Sequence, residues 1–539
     1  MYVSDVITMI PARCGTFRHI IPITITQHIQ KMNFTPLARP YFLKVASRTD
    51  SWKERSAEIQ TAQLRQLLSQ AADTLYGKES GFKEILNSRD IVGAYREGVR
   101  TVGYEDIRTL VMHMILGEED VLWPGKCTNF AQSSGTSGGR SKYIPITPRN
   151  LSQAHYKGAK DCVAHYLRAN PDSRIFSGKG FVLGGSFAHQ LKISNPDVRI
   201  GDLSATLIRR INPFANFFRV PDMKTALLPD WKDKLPALVK ASKFENITNL
   251  SGVPSWFLAV IKEVMKARGV NKISDVWPNL EVFFHGGISF EPYREIYEEI
   301  TDYSKMHFVE TYNASEGFFA VQNDPHDRAM LLIIDNDIFY EFQEIGNPQS
   351  SPVDVSGVVP GKIYELIITS SNGLFRYRLG DTVKVESVNP VKITVAGRTK
   401  TFINAFGEEL MEDNAEKAMA AACSICGCSI SNYTAAPVYA TEGRRGRHQW
   451  IIEWAKSPES TEKFAQTLDS ELKKLNSDYA AKRAHTIFLD PPEIISVPVG
   501  TFERWLQCVG TGKLGGQRKI PRLSNDRKIA SQILAITSL

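Results

Sequence analysis

Three apolar runs in the middle of the chain, GFVLGG (180–185), NITNLSG (246–252) and NLEVFFHGG (279–287), end in glycine, and helical pattern follows, as in Pro254–Arg268 and Glu291–Ile300. Glycine lets the backbone turn sharply from a strand into a helix. Strand, glycine turn and helix in repetition predict a mixed α/β core. Upstream, KYIPIT (142–147) reads as a strand and 150–169 as a helix begun after Pro148. Between 54 and 76, the positions Ile59, Ala62, Leu64, Leu67, Leu68, Ala71 and Leu75 recur at helical spacing.

A second change of texture falls near Arg398. Before it, 363–387 and 391–397 read as β-hairpins that form a β-barrel-like subdomain of the large domain. After it, 408–422 reads as helix, 438–454 as two strands across a basic turn, and 461–475 as helix again. That is the pattern of a small α+β domain. The expected division is a large domain over 32–397, a hinge at 398–405 and a small mobile domain over 406–539. Residues 1–31 carry a β-branched run unlike the remainder, so Met32 reads as the natural start. The preceding segment reads as a disordered or non-native extension; it lacks the layout of a secretory signal.

Composition narrows the function. With 42% hydrophobic and 23% charged residues, disorder as a dominant state is excluded. The 65 basic residues exceed the 58 acidic ones by only seven, an excess that suits an anionic small ligand such as a nucleotide but gives no nucleic-acid groove. No stretch reaches the roughly 18 apolar residues of a membrane span. Seven cysteines, an odd count, fit a reducing compartment, and the expected location is cytoplasmic. Cys423, Cys426 and Cys428 crowd together without a fourth ligand, so they read as small thiols and not as a zinc site.

Five motifs carry chemistry. In SSGTSGGRSK (133–142), glycines allow close backbone approach to phosphate, hydroxyls add donors, and Arg140 or Lys142 supplies positive charge. It is not the Walker pattern, and a plain serine/glycine loop is the competing reading. In YNASEG (312–317), an acid beside a hydroxyl at a strand's end can hold Mg²⁺ against phosphate oxygens, or be an exposed turn glutamate. In YRLGD (377–381), Asp381 can accept from both ribose hydroxyls, or simply close a turn. GRTKTFINAFGEEL (397–410) lies on the expected domain junction, and GGQRKIPR (515–522) is a basic loop centred on Lys519.

In that order and spacing, the five motifs resemble the adenylate-forming superfamily of acyl-CoA ligases, luciferases and peptide-synthetase adenylation domains. More closely, the chain resembles the Gretchen-Hagen (auxin-responsive) acyl-acid amido synthetase family in its non-plant form. The glycine-rich loop is one residue longer before its lysine than the usual ligase loop, and SEG replaces the usual Thr-Glu. LSGVPSWFL (250–258) and FFHGGISFEPYRE (283–295) share the look of that family. The resemblance runs from about Met32 to the end.

The resemblance implies a role for each position. Ser133, Ser134, Gly135, Thr136 and Ser137 would wrap the β- and γ-phosphates of ATP, with Lys142 as charge partner. Ser315 would meet the α-phosphate, Glu316 would hold Mg²⁺, and Tyr312 would pack beside adenine. His285, Gly286 and Gly287 would line the adenine pocket, although His285 reads equally as a packed strand-end histidine. Asp381 would bind ribose with Arg398 nearby, and Lys400 would mark the hinge. Lys519 would reach the α-phosphate during adenylation, with Lys528 as its competitor.

The implied reaction is attack of a small carboxylic acid on ATP, giving acyl-AMP and pyrophosphate, then transfer of the acyl group to an amino acid's amine. The alternatives are a ligase that passes the acyl group to the thiol of coenzyme A or a carrier protein, and a catalytically idle nucleotide-binding protein. The expected partners are those small molecules alone, with no nucleic acid, no membrane and a monomeric chain.

Overall fold

The computed structural model describes residues 33–133, 142–187, 191, 195–287, 290–347, 350–398, 402–403, 410–438, 446–476, 479–480, 483, 489–509, 520–524 and 527–537. The extension expected at 1–31 lies outside them. In chain order the first strands are β1 (Asn129–Ser133), β2 (Lys142–Pro145), β3 (Lys179–Val182), β4 (Arg199–Gly201) and β5 (Arg219–Val220). There follow β6 (Ile247–Gly252), β7 (Val282–Gly286), β8 (His307–Ala314), β9 (Gly317–Gln322) and β10 (Met330–Leu332). The large domain's last strands are β11 (Ile338–Glu344), β12 (Ile363–Ser370), β13 (Leu374–Val388) and β14 (Val391–Arg398).

Eleven of these strands form one mixed sheet in the order β11-β12-β13-β14-β10-β9-β8-β7-β6-β3-β5. The half from β5 to β8 is parallel, and the half from β9 to β11 is antiparallel. Helices join the parallel strands because their faces must be covered. The helix Pro254–Arg268 starts with proline, whose missing N–H costs nothing there, and stops at Gly269 in the left-handed conformation (φ +66°). Strand β7 shows the period of two: Val282 and Phe284 face one core, with Phe318, Phe319 and Tyr377, while Phe283 faces another, with Phe181, Phe257 and Trp277. A second, three-stranded sheet of β2, β1 and β4 carries the ends of the glycine-rich loop, with Ser133 paired to Lys142.

The antiparallel half supplies the barrel-like curvature expected of it. Tyr312 on β8 and Asp381 on β13 are separated in the sheet by β9, β10 and β14, which in a flat sheet would put them about 19 Å apart. Yet the Tyr312 hydroxyl donates to Asp381 Oδ2 at 2.8 Å. The sheet therefore curls until its antiparallel half reaches back to the edge of β8.

After β15 (Phe402–Ile403) and β16 (Leu410–Met411), the C-terminal part builds its own sheet from β17 (Ser429–Val438), β18 (Arg447–Lys456) and β19 (Glu493–Val497). The helices Glu412–Cys426 and Thr461–Leu475 cover it through Ala415, Met419, Ala422, Phe464 and Leu468. The first of these was expected at 408–422. Its stop is Gly427 (φ +61°), where the Cys428 N–H returns to the Cys423 carbonyl at 3.0 Å, so the helix runs four residues further. The helix expected at 150–169 is also more elaborate: a short Pro148–Asn150 turn, a π-helical turn Leu151–Tyr156, then Lys157–Ala169.

One buried ion pair sets the path of β13. Arg376 adopts φ +48°, a left-handed conformation unusual for a side chain of its size, within an irregularity of the β12–β13 pairing. Its guanidinium forms two 2.9 Å bonds to Glu341 and donates to the carbonyls of Arg96 and Val99 at 2.7 and 2.6 Å. Its own carbonyl accepts from the Val102 N–H at 3.0 Å. Glu341→Gln, which leaves Arg376 charged and without its counter-ion, is expected to lower unfolding stability by about 3–5 kcal/mol. Urea denaturation checks this, and an unchanged midpoint would show that the pair contributes nothing.

Candidate active site

The carboxyl ends of β3, β6, β7 and β8 all lie on one edge of the sheet, as their parallel registers require. Open α/β sheets bind ligands along that edge. Glycines mark it at Gly184, Gly252 and Gly286, and the turn of Ser315 and Glu316 closes it between β8 and β9, where Ala314 pairs with Gly317. Ser315 and Glu316 are both largely buried. The curl of the sheet brings buried Asp381 to the same corner through Tyr312.

The glycines have local reasons. A Cβ on Gly286 would lie 2.4 Å from the Thr311 carbonyl oxygen, a backbone atom that cannot move without parting β7 from β8. Gly287 takes φ +83°, which turns the chain off the strand. At the neighbouring position, His285 is 3% exposed and its ring stacks on Phe290 with centroids 4.3 Å apart and planes at 21°. Burial, and secondarily Arg294, pushes its pKa down to about 3. The imidazole packs in the aromatic layer, with burial favouring its neutral form.

Two titratable groups on this edge were not found from sequence. Glu310 stands beside His285 in the β7–β8 register. Burial and then Glu291 push its carboxyl up to about 7, against the opposing pull of Arg294 and Arg328. Lys234 is 2% exposed, and its ammonium donates to the carbonyls of Gly184 and Gly185 at 2.6 and 3.2 Å. Burial lowers it to about 8, with Asp202 opposing. A carboxylate in a strand of alternating character and a lysine in an amphipathic helix carry no local signal of their destination.

Lys142 pairs with Ser133 at the base of the glycine-rich loop. Ser134, Gly135, Thr136 and Ser137 lie outside the described residues, as do Lys400 and Lys519. Arg398 ends β14, opposite Asp381 in the β13–β14 register. Residue 519 immediately precedes a segment docked on β17: the Ala435 N–H donates to the Arg522 carbonyl at 2.8 Å, and Arg522 stacks over the Tyr433 ring at 4.7 Å. Lys528 is exposed at the start of the helix Lys528–Thr537. Among the described residues, no group of three or more His, Cys, Asp or Glu side chains is arranged to hold a metal ion.

Three family models match consecutive parts of the chain: the GH3 family N-terminal domain over 46–306, the GH3 family central domain over 331–398 and the GH3 family C-terminal domain over 413–528. The chain is 22% identical over 545 residues to the indole-3-acetic acid-amido synthetase GH3.4 of Arabidopsis thaliana, covering 86% of this chain and 88% of that one. Among solved structures, it shares its fold with the GH3.15 acyl acid amido synthetase (TM-score 0.74, 20% identity, 91% of this chain and 95% of that one). It shares it more distantly with a 2-hydroxyisobutyryl-CoA ligase in the postadenylation state (TM-score 0.56, 14% identity, 90% and 93%).

The buried imidazoles make stability pH-dependent. His285 near 3, and His155 and His165 each near 4, are lowered by burial from an ordinary value of 6.5. The unfolded chain therefore takes up protons first. The stability from keeping these rings neutral is complete above about pH 6.5 and falls, by about 1.4 kcal/mol per pH unit for each ring, as pH drops toward 4. His285→Phe is expected to keep the pH 7 stability and give a shallower decline between pH 6.5 and 4.5, measured by urea unfolding at each pH. A decline as steep as the unaltered protein's would show that His285 already carries charge in the fold.

Proposed function

The chain belongs to the GH3 family of the adenylate-forming superfamily, and from that premise we propose that it joins a small carboxylic acid to an amino acid's amine at the expense of ATP. The observation that carries this reading is the buried Tyr312–Asp381 bond beside the turn of Ser315 and Glu316. Residues from two distant motifs thereby share one corner of the sheet edge with a hydroxyl and two carboxylates. A carboxylate has about four acceptor sites, so Asp381 can hold Tyr312 and still receive a ribose diol. Tyr312 would then present its ring face to the base, and Ser315 its hydroxyl to the α-phosphate.

Mg²⁺ suits this corner. The hard cation takes one or two carboxylates and leaves its other positions to phosphate oxygens and water, so a single carboxylate such as Glu316 suffices on the protein side. Glu316 would hold it, and the ion would supply charge neutralisation at the phosphates. The chain's own groups do the remainder. Residues 133–137 would cradle the β- and γ-phosphates, with Lys142 fixed at the base of their loop by its pairing with Ser133. Arg398 would stand across the β13–β14 ladder from Asp381 near the ribose. Gly286 and Gly287 would let the adenine ring lie close to the backbone.

Charge builds on the phosphoryl oxygens as the substrate carboxylate attacks and pyrophosphate leaves, so donors placed around them carry most of the catalysis. Lys519 would supply one such donor from the small domain. That domain, 406–539, would move about the segment 398–405 at Lys400 to exchange adenylation for acyl transfer. Its separate core supports this, as does the short two-stranded pairing of β15 and β16 that links it to β14.

Incubation with ATP, a panel of aryl and alkyl acids, and either amino acids or coenzyme A tests the reading. Amide product is expected; thioester would show a thiol acceptor, and absence of AMP release with every acid would show an idle nucleotide binder. Asp381→Asn is expected to weaken ATP binding in a calorimetric titration, because an amide offers the diol only half the acceptor pair. Lys519→Ala is expected to slow pyrophosphate exchange about 30- to 1,000-fold, the loss of one charge-assisted contact worth ~2–4 kcal/mol in the first barrier. The same variant should convert a prepared acyl-adenylate and amine at a near-normal rate. An equal fall in both half-reactions would make Lys519 a general binding residue, and a selective loss in Lys528→Ala alone would move the role there.

A further inference from the structure

The main-chain carbonyl of Glu316 lies in a tight turn, yet it accepts from two buried side-chain amides. Asn372 Nδ2 reaches it at 3.2 Å and Asn150 Nδ2 at 3.4 Å. Both asparagines are fully buried and come from distant parts of the chain. The Asn372 amide is held by its oxygen, which accepts from the Ser370 hydroxyl at 2.6 Å, so its nitrogen must point toward Glu316. Asn150 keeps its amide although its own Oδ1 has no hydrogen-bond partner among the described residues, a buried cost that the bond to Glu316 offsets.

Thr147 ties the two asparagines to each other. Its hydroxyl donates to the Ser371 carbonyl at 2.7 Å and accepts from the Asn150 N–H at 3.0 Å. Asn150 follows β2, which begins at Lys142 beneath the glycine-rich loop. Asn372 lies in the hairpin turn that begins β13, the strand that carries Asp381. The next turn, Leu151–Tyr156, sets buried His155 beside the Ser315 backbone. Three segments that serve phosphate, metal and ribose are therefore joined at one carbonyl oxygen.

We propose that Asn150 and Asn372 are positioning residues for adenylation: by gripping the Glu316 carbonyl they fix the direction of its carboxylate relative to Lys142 and Asp381. The inference rests on the adenylation reading above for the reaction, but not for the geometry. A carboxylate on an unsecured turn swings by an ångström or more, and a displacement of that size costs about 10²-fold in rate. Neither amide touches substrate; both act through Glu316.

The test is a double-mutant cycle on the full chain. Asn372→Ala is expected to slow pyrophosphate exchange about 10- to 100-fold and to raise the Mn²⁺ concentration that half-saturates the ATP complex, followed by electron paramagnetic resonance. In a Glu316→Gln background the same substitution should add almost nothing, because the group it orients is already gone. Additive losses would overturn the proposal, as would a fall in exchange that merely tracks thermal stability with Mn²⁺–ATP affinity unchanged. Should the unaltered chain exchange no pyrophosphate with any acid, the adenylation reading fails. The Mn²⁺–ATP titration still decides the node, since equal affinity in Asn372→Ala and the unaltered chain overturns it. Asn150→Ala leaves the hairpin turn intact and gives the same readings if Asn372→Ala does not fold.

Discussion

The hydrogen bond from Tyr312 to Asp381 sets the terms for the rest of the large domain. It joins a strand of the parallel half to a strand of the antiparallel half across three intervening strands, and it does so inside the protein. A flat sheet leaves those residues about 19 Å apart. Right-handed twist supplies part of the bend, and the irregular pairings supply the remainder: β8 to β9 between Tyr312 and Asn313, and β13 to β14 between Thr382 and Val383. The irregularities thus lie next to the two bonded residues. Sheet curvature and site assembly are one event in this fold.

The charges that frame this corner are treated differently according to their work. Arg376 and Glu341 neutralise each other in the interior and hold β13 on its course. Arg48, Lys157, Asp161 and Asp335 do the same where the first helices meet the sheet. Burial also shifts Lys157, Asp161 and Glu341 toward their neutral forms, but there paired charges oppose it; on the sheet edge it brings Lys234 down to about 8 and Glu310 up to about 7. A group that titrates near 7 or 8 can change charge when a ligand excludes water.

Much of the fold was legible because its signals are local. Proline and glycine bracket Pro254–Arg268, and the period of the apolar residues gives Thr461–Leu475 its full length. The helix expected at 408–422 runs from Glu412 to Cys426, because Gly427 is the residue that takes the left-handed turn and stops it. The short β4 and β5, three and two residues long, have no period to detect. The candidate site was legible as motifs, since glycine, hydroxyl and acid cluster in the sequence as a backbone approaching phosphate would require. What joins the motifs was not. Thr147, Asn150 and Asn372 are ordinary turn and cap residues by type, and the shared target of the two asparagines is a carbonyl, which every residue possesses. His285 reads from sequence both as a pocket residue and as a packed strand-end histidine, and its ring stacks on Phe290.

The pairing of Ser133 with Lys142 makes the glycine-rich loop a hairpin whose base is a rung of the sheet. Ladder geometry holds those two α-carbons about 5 Å apart whatever lies between them. Added residues between them leave that rung in place, and the entropy of closing the intervening segment grows slowly, by roughly 0.6 kcal/mol per doubling. Loop length is consequently a variable that evolution or an engineer can alter without displacing the lysine. Chains with fewer or more residues between these two positions would keep their positive charge in the same place.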